Sequence, residues 1–277
     1  MDSALRQRLS ANLDAVEHRI SACAGARRPG LLAVTKSVAP PVALELARLL
    51  TARREGPAHL GENRFESLKE KVAAFSAAED APEVRWHFIG RIQRNKARRI
   101  ARLADALHGV DSLALVETLE RVCAEEGRRP RIYLQLKLAD DPAKGGLAPE
   151  ELAPVLDAAR AAEHLELAGL MTMPPFLEDP AESLALAECC FRQLAECAAT
   201  LPTEAFADGR PQLSMGMSAD LEPAVAAGSD WLRIGRALFR DLPFRDSPTA
   251  EAPSTDPSDA PTGPDETPLP TARDPRG

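Results

Sequence analysis

Residues 31–61, LLAVTKSVAPPVALELARLLTARREGPAHLG, contain the pattern that decides the fold. A short apolar run, Leu31–Thr35, is followed by an amphipathic segment at 41–54 and then by a second apolar run, Ala58–Gly61. Short apolar runs that alternate with helical stretches predict parallel strands joined by crossover helices. The first run leads into Lys36 without the glycine-rich turn of a dinucleotide-binding sheet, which disfavours an open doubly wound sheet.

The same alternation extends on both sides of this stretch. An amphipathic helix is predicted before it, over Ser3–Cys23. Further strands are predicted after it at Val84–Gly90, Ala106–Val110, Arg131–Leu138, Leu165–Thr172, Gln212–Met217 and Trp231–Gly235. Helices are predicted between the strands at 62–77, 93–104, 113–127, 149–162, 181–200 and 219–227. Eight strand–helix units within about 210 residues predict a single closed (β/α)8 barrel.

The composition changes at residue 246. Residues 246–277 contain eight prolines and seven acidic residues, with Leu269 as the one large aliphatic side chain. Such a segment buries too little apolar surface to offset the entropy of ordering its chain. We therefore predict a barrel domain at 1–245 and an acidic, proline-rich disordered tail at 246–277. A solubilising extension is favoured over a docking sequence, because composition alone identifies no partner.

Charge, hydropathy and cysteine content disfavour several classes of protein. The net charge of −8 argues against a nucleic-acid-binding surface, and the basic cluster Arg91–Arg99 is interpreted as a solvated helix face. No apolar run is long enough to span a bilayer, and the charged N-terminus does not resemble a secretion signal. The five cysteines and five histidines show no metal-ligand spacing. These features predict a cytoplasmic protein with reduced thiols and no metal site.

Two basic residues stand at or near the ends of predicted strands, where barrels of this class place their active sites. Lys36 follows the first strand, and it either extends into solvent or acts as a desolvated Schiff-base nucleophile. Arg233 lies inside the apolar strand Trp231–Gly235. If it is buried, it needs a partner, which is either an acidic residue on a neighbouring strand or an acceptor such as a pyridine nitrogen. The pattern alone leaves both pairs of alternatives open.

The loop after the seventh predicted strand has the composition of an anion-binding loop. It reads Ser214-Met215-Gly216-Met217-Ser218 and leads into a helix predicted to begin near Ala219. Hydroxyls, a glycine and free backbone N–H groups at a helix N-terminus form an anion cradle. Ser218 acting only as a helix N-cap is the simpler interpretation, and the two are compatible. Gly235 and Arg236, after the eighth strand, would complete a phosphate site.

Eight segments between about residues 5 and 244 carry a more specific signal. They are Val34-Thr35-Lys36, Gly61-Glu62-Asn63-Arg64, Trp86–Gly90 with Gln93 and Asn95-Lys96, Val110-Asp111-Ser112, Lys144-Gly145, Gly169–Thr172, Leu213–Ser218 and Arg233–Arg236. Together and in this order they resemble the pyridoxal phosphate homeostasis protein family, whose fold is similar to the barrel domain of alanine racemase.

The resemblance implies that the chain binds pyridoxal 5′-phosphate (PLP), with Lys36 forming a Schiff base and Asn63 lying near the cofactor ring. It implies that Arg233 faces the pyridine nitrogen. It assigns the phosphate-loop region to Ser214, Met215, Gly216, Ser218, Gly235 and Arg236. The implied role is storage, buffering and delivery of PLP to receiving apo-enzymes. A monomer is expected, since the motifs need no second subunit.

Two residues depart from the pattern of that family. Arg94 stands where serine is common, and Lys137 stands where a neutral asparagine is usual. Lys137 lies two residues after Gln135 and so shares its face of the predicted strand. As a hypothesis, the Lys137 amine approaches the cofactor and disfavours protonation of Lys36 through like-charge repulsion. The tail at 246–277 is a third departure.

A weak amino-acid racemase is the alternative function. Racemisation needs a second base on the opposite face of the substrate, which in alanine racemase is a tyrosine from an additional domain. The single tyrosine here, Tyr133, lies near the start of the fifth predicted strand. We expect no such domain after residue 246, so a carrier without catalytic residues is favoured. A third possibility is an interaction protein that binds a partner through its tail or through Arg91–Arg99.

Overall fold

Eight parallel strands form a closed barrel in the computed structural model, which describes residues 3–25, 28–141 and 145–242. The strands follow one another around the barrel in chain order, and β8 pairs with β1. They are β1 (Gly30–Val34), β2 (Ala58–Glu62), β3 (Val84–Phe88), β4 (Ala106–Val110), β5 (Arg131–Leu136), β6 (Glu166–Thr172), β7 (Gln212–Ser214) and β8 (Trp231–Ile234). The predicted (β/α)8 barrel is therefore confirmed.

The helices lie before the barrel and between its strands. They are α1 (Ser3–Cys23), α2 (Pro40–Arg53), α3 (Phe65–Ala77), α4 (Ala97–Ala101), α5 (Leu113–Glu126), α6 (Leu152–Ala161), α7 (Pro180–Ala199) and α8 (Leu221–Ala226). The helix predicted at 93–104 is wrong in extent, because it begins as a 3-10 turn at Arg94–Lys96 and continues as the short α4. A second 3-10 turn, Pro149–Glu151, precedes α6.

Five strands end earlier than their apolar runs predict, β1 and β8 by one residue and three others by more. β3 ends at Phe88, β5 at Leu136 and β7 at Ser214, each two or three residues short. The residues that follow leave the sheet to form loops. In the β7 loop, Gly216 has a φ of +90°, which no strand residue adopts. The apolar run predicts burial there correctly, but strand conformation ends where the chain turns.

The predicted helix at the N-terminus is confirmed with the same bounds, and it covers one side of the barrel. Its apolar stripe (Leu9, Leu13, Val16 and Ile20) is fully or almost fully buried. Burying each such side chain contributes about 1.5–3 kcal/mol. The Asn12 side chain donates hydrogen bonds to the carbonyl oxygens of Leu238 and Arg240, at 3.1 and 2.9 Å. These bonds hold the helix against the segment that follows β8.

Some expectations fall on residues outside the described ranges. The tail predicted at 246–277 and Lys144 are among them, so the boundary at 245 and the character of the tail stay predictions. Among the described residues, no helix is long and apolar enough to cross a membrane. The same part of the chain contains no group of three or more His, Cys, Asp or Glu side chains arranged to hold a metal ion.

Candidate functional site

The ends of β1 and β8 bring Lys36 next to Gly235 and Arg236. The two strands are paired with Leu32 opposite Arg233. A side chain at Gly235 would come within 3.3 Å of the Val34 carbonyl oxygen, so the two backbones are in close contact there. Both Lys36 and Arg236 are exposed. Lys36 is therefore accessible to solvent, and its role as a Schiff-base nucleophile stays a prediction.

The β7 loop lies on the other side of β8. The Gly216 carbonyl accepts a hydrogen bond from the Arg233 N–H at 2.9 Å, and the Ser218 Oγ accepts one from the Ala237 N–H at 3.3 Å. Gly216 cannot be replaced without strain, because an added Cβ would lie 2.4 Å from the Ala224 Cβ. The segments 36, 214–218 and 233–236 therefore meet at one end of the barrel, as predicted from the position of strand ends.

Members of the predicted phosphate loop differ in their accessibility. Ser214 and Met215 are completely buried, whereas Ser218 is half-buried. Ser218 is not the N-cap of the following helix, which begins at Leu221. Asp220 holds that turn instead, since its Oδ1 accepts a hydrogen bond from the Met217 N–H at 2.5 Å.

Asn63 lies on the opposite side of Lys36, after β2. The Thr35 N–H donates to the Gly61 carbonyl at 3.0 Å, which keeps the ends of β1 and β2 together. Asn63 is half-buried, and its backbone packs against Gly90, where an added Cβ would lie 2.2 Å from the Asn63 carbonyl oxygen. The predicted site residues thus follow four consecutive strands around the barrel, β7, β8, β1 and β2.

Arg233 is a buried cation that has no carboxylate partner in the described part of the chain. Its side chain points into the barrel and is 4% exposed. Its Nη1 donates to the carbonyl oxygen and the Oγ of Ser214, at 2.7 and 2.9 Å, and its Nη2 donates to the Thr172 carbonyl at 2.9 Å. Within the described residues no acid lies at ion-pair distance, so the alternative of a salt bridge is not observed. Burial lowers the pKa of the Arg233 guanidinium to about 10, and the nearby Asp220 opposes that shift.

A buried ion pair supports the end of β1 from the outer side. The Lys71 Nζ lies 2.8 Å from Glu62 Oε1, and both side chains are fully buried. The same Glu62 oxygen accepts a 2.5 Å hydrogen bond from the Thr35 hydroxyl, one residue before Lys36. The sequence analysis did not single out Lys71. Its spacing from Leu68 and Phe75 places it on the inner face of α3, and that spacing could have identified it.

Three histidines that show no metal-ligand spacing form a connected row inside the barrel. Neighbouring ring nitrogens of His59, His87 and His108 lie 2.8 Å apart. The row ends on Ser214, whose Oγ lies 2.8 Å from His108 Nδ1. Sequence reasoning missed this arrangement because it looked only for helical ligand spacing. Each histidine lies in a different strand, β2, β3 or β4, and only the register of those strands brings them together.

The two residues that depart from the family pattern lie in the segments that follow β3 and β5. Lys137 immediately follows β5 instead of lying within it, and its Nζ pairs with Asp140 at 3.6 Å. Arg94 is exposed in the 3-10 turn before α4. Within the basic cluster, Arg98 and Arg99 form ion pairs with acids of α5 and α3. This agrees with the interpretation of the cluster as a helix face.

Comparison with known proteins identifies the family of this chain. The family model described as "Alanine racemase, N-terminal domain" matches residues 11–243. The chain belongs to this family. It is 34% identical over 211 residues to the pyridoxal phosphate homeostasis protein of Synechocystis, covering 76% of this chain and 90% of that protein. The protein of the same name from Pseudomonas aeruginosa is 35% identical over 237 residues, covering 83% of this chain and 94% of its own length.

Solved structures of this family include one with PLP. PipY of Synechococcus elongatus, solved with PLP bound, is 33% identical and superposes with a TM-score of 0.65 over 83% of this chain and 99% of PipY. Alanine racemase of Clostridium difficile superposes with a TM-score of 0.64 over 90% of this chain and 58% of the racemase. At 14% identity, that second likeness shows the fold alone.

Proposed function

We propose that this chain binds PLP on Lys36 and acts in intracellular PLP homeostasis, storing the cofactor and delivering it. Its family, the names of its relatives and the PLP bound in PipY support the proposal. The observation that carries it is Arg233, a buried cation that has no carboxylate partner among the described residues and lies on β8, beside the strand that Lys36 follows. Its guanidinium can donate a charge-assisted hydrogen bond to an acceptor atom of a ligand at the barrel mouth.

The residues at the mouth fit the cofactor in their chemistry. PLP supplies an aldehyde that condenses with a primary amine with loss of one water molecule, together with a ring nitrogen and a phosphate. Lys36 provides an exposed amine for the aldehyde. Arg233 provides a guanidinium that forms no ion pair with the described residues, and a ring nitrogen is an acceptor for it. An arginine at that position keeps the nitrogen unprotonated and so weakens the ring as an electron sink.

The phosphate is held by the accessible members of the predicted set. Arg236 supplies an exposed cation, and Ser218 supplies a half-buried hydroxyl in the loop beside it. The absence of a side chain lets Gly216 pack against Ala224 of α8 and lets Gly235 pack against Val34 of β1. Ser214 and Met215 lie beneath the loop, and the Ser214 hydroxyl bonds to Arg233 and to a histidine ring. Their role is to shape the loop and to orient Arg233.

A carrier is favoured over a racemase by the environment of Tyr133. Its hydroxyl donates to Gln212 Oε1 at 2.6 Å, and the ring is buried against His108. Burial raises the pKa of this phenol well above its ordinary value. A second base for racemisation must reach the face of the substrate opposite Lys36. A buried, hydrogen-bonded tyrosine in the first half of β5 does not meet that requirement. Receiving apo-enzymes, a cytoplasmic location and a monomeric state stay predictions.

The test is to trap the PLP adduct chemically. The full chain is mixed with PLP, its absorption spectrum is recorded, and the adduct is reduced with borohydride and located by peptide mass mapping. We expect a yellow protein with the adduct on Lys36, which Lys36→Ala loses and Lys69→Ala, a change at an exposed lysine of α3, retains. An adduct on Lys137, or no adduct, would contradict the proposed site. Racemisation of added L-alanine that disappears in Lys36→Ala would favour the racemase.

A further inference from the structure

An unbroken row of hydrogen bonds leads away from Arg233 through the inside of the barrel. Arg233 Nη1 donates to Ser214 Oγ at 2.9 Å, and that oxygen lies 2.8 Å from His108 Nδ1. His108 Nε2 lies 2.8 Å from His87 Nδ1, and His87 Nε2 lies 2.8 Å from His59 Nδ1. Each ring thus uses one nitrogen toward each neighbour. We call His59, His87 and His108 the histidine relay.

The relay joins β2 to β7 across the inside of the barrel. Ser214 is the last residue of β7 and lies beneath the loop at the mouth. His59 is the second residue of β2, is half-buried, and packs against Trp231, the first residue of β8, with ring centroids 4.5 Å apart. His59 therefore lies near the amino end of β2, whereas Ser214, which pairs with Trp231 in the sheet, leads directly into the β7 loop. His108 stacks on Tyr133 at 4.2 Å, which fixes its ring plane.

The three rings are neutral at neutral pH. Burial lowers the pKa of His59 to about 4, and it lowers the pKa values of His87 and His108 well below their ordinary value. The positive charge of Arg233 acts in the same direction on His108. Besides the relay members, the charged groups that act on these rings are Arg54, Arg85, Asp105, Arg131 and Arg233.

Neutrality leaves the relay only two hydrogen-bonding states. A neutral imidazole has one N–H donor and one acceptor nitrogen, so each ring that donates to one neighbour must accept from the other. If Ser214 donates to His108, all three rings carry their proton on Nε2, and every bond points toward His59. If His108 donates to Ser214, all three carry it on Nδ1, and every bond points toward Ser214. A mixture leaves two donors or two acceptors facing each other at 2.8 Å.

The group at position 59 selects between these states. A protonated His59 has only donors, so its Nδ1–H must point at His87. His87 then donates to His108, and His108 donates to Ser214. The Ser214 oxygen in that state accepts from both His108 and Arg233, and its own hydrogen is released from the relay. A change at the amino end of the barrel therefore alters the hydrogen bonds of the residue that orients Arg233.

We propose that His59, His87 and His108 form one tautomer-coupled relay, which transmits the hydrogen-bonding state of the amino end of the barrel to Ser214 and Arg233. These histidines are positioning residues, since they act on the site through Ser214. The existence of the relay is independent of any ligand. Its effect on a bound cofactor rests on the proposed function, because Arg233 is the group assigned there to the ring nitrogen.

The relay is tested in the full chain without cofactor, by nitrogen-15 NMR of labelled histidines at neutral pH. Imidazole nitrogen shifts distinguish the Nδ1–H and Nε2–H tautomers. We expect the three relay rings of the unmodified protein to share one tautomer. Unlike tautomers within the relay would overturn the proposal, and this measurement needs no variant. His18, which is exposed, and His164, which bonds to Glu120, serve as internal references.

Two substitutions at position 59 are expected to select opposite tautomers of the remaining relay rings. Lysine has only donors and an ionised glutamate has only acceptors. We expect His108, two rings away, to carry its proton on Nδ1 in His59→Lys and on Nε2 in His59→Glu. Unchanged His18 and His164 signals show that each variant is folded. The same His108 tautomer in both folded variants would overturn the coupling. His18→Lys, at an exposed position of α1 outside the relay, is the matched control and leaves His108 unchanged.

The effect on the site is then measured by adding PLP to the same two variants. We expect the absorption band of the bound cofactor to titrate with different pH midpoints in His59→Lys and His59→Glu. Identical spectra with PLP bound to both would overturn the transmission to Arg233. If the unmodified protein does not bind PLP, the proposed function fails, and the spectra recorded without cofactor decide the relay separately.

Discussion

Lys71 and Arg233 are both buried cations, and the structure compensates their charges in different ways. Lys71 lies 2.8 Å from a carboxylate oxygen of Glu62 and donates to the Ser67 hydroxyl at 2.9 Å. Arg233 donates only to carbonyl and hydroxyl oxygens among the described residues. The first charge is balanced inside the protein and needs no ligand. The second forms no ion pair with the described residues, and for that reason we propose Arg233, and not Lys71, as the cation that faces a ligand.

The largest expected effect comes from breaking the balanced pair. Replacing Lys71 with methionine leaves the Glu62 carboxylate buried and unpaired, with one oxygen, Oε2, already lacking a hydrogen-bond partner. We expect Lys71→Met to lower the free energy of unfolding by about 3–5 kcal/mol, measured by urea denaturation. The double variant Lys71→Met/Glu62→Gln should recover much of that loss, because it removes both charges.

The matched control for that variant is Lys69→Met on the same helix. Lys69 is exposed, so its replacement should change the free energy of unfolding by no more than about 0.5 kcal/mol. Equal losses in Lys69→Met and Lys71→Met would show that the buried pair has no special role. Lys71 would then not be a cation that the fold needs for its stability, and the contrast with Arg233 would not hold.

A smaller loss of stability is expected at the unbalanced cation. Arg233→Met leaves the Ser214 and Thr172 carbonyls without their donor, which costs about 1–3 kcal/mol for an unsatisfied group. It also removes a buried charge, and this offsets part of that cost. Its main effect should be on the ligand. A charge-assisted hydrogen bond of about 1.5–3 kcal/mol predicts a PLP affinity weaker by about 10- to 100-fold. Titration with PLP, followed by absorbance, measures it.

Arg240→Met is the control for the affinity measurement. Arg240 is exposed after β8, and its replacement should leave PLP affinity unchanged. If Arg233→Met binds PLP as tightly as the unmodified protein, the assignment of Arg233 to the cofactor is wrong. The role of the buried guanidinium would then be limited to its hydrogen bonds with Ser214 and Thr172.

Acid should lower the free energy of unfolding through His59, at the far end of the histidine relay from Arg233. His59 has its pKa lowered from 6.5 to about 4, so between these values the unfolded chain binds the proton that the folded chain does not. The contribution of His59 to the free energy of unfolding is therefore fully present above about pH 6.5 and is lost as the pH decreases toward 4. We expect His59→Gln to reduce that slope by up to about 1.4 kcal/mol per pH unit, measured by urea denaturation at several pH values. An unchanged slope would show that His59 titrates alike in both states.

The comparison also shows which parts of the molecule a sequence can predict. The barrel and the convergence of Lys36 with the loops after β7 and β8 were predictable, because strand order and strand ends follow from local patterns. The loop conformation was harder to predict. Ser218 has a suitable composition for an N-cap, yet Asp220 holds the turn, because the chain leaves the strand earlier than its apolar run suggests.

The partners of buried polar groups were not predictable in the same way. Arg233 was expected to have either a carboxylate or a ligand, and only the structure shows that the carboxylate is absent among the described residues. The ring of His87 meets His59 and His108 through strand registers, which local periodicity does not determine. Contacts between side chains of distant strands therefore need the fold as well as the pattern.

The smallest effect is expected at Lys137, which extends the comparison to a partly exposed cation. Its charge is shared with Asp140 at 3.6 Å, and its side chain is 30% exposed, so solvent screens it. Replacing it with asparagine removes a like charge and makes protonation at Lys36 easier, which moves the pH midpoint of the PLP absorption band upward. We expect a shift of about half a pH unit or less in Lys137→Asn.

The size of that shift discriminates between two positions of Lys137. Lys69→Asn, on α3, serves as the control and should leave the midpoint unchanged. An upward shift of more than about one pH unit would correspond to over 1.4 kcal/mol, which a screened pair does not supply. Lys137 would then have left Asp140 and moved against the cofactor, as the hypothesis drawn from its position in the sequence requires. A small shift would keep Lys137 with Asp140 and leave Arg233 as the buried cation that acts on the ligand.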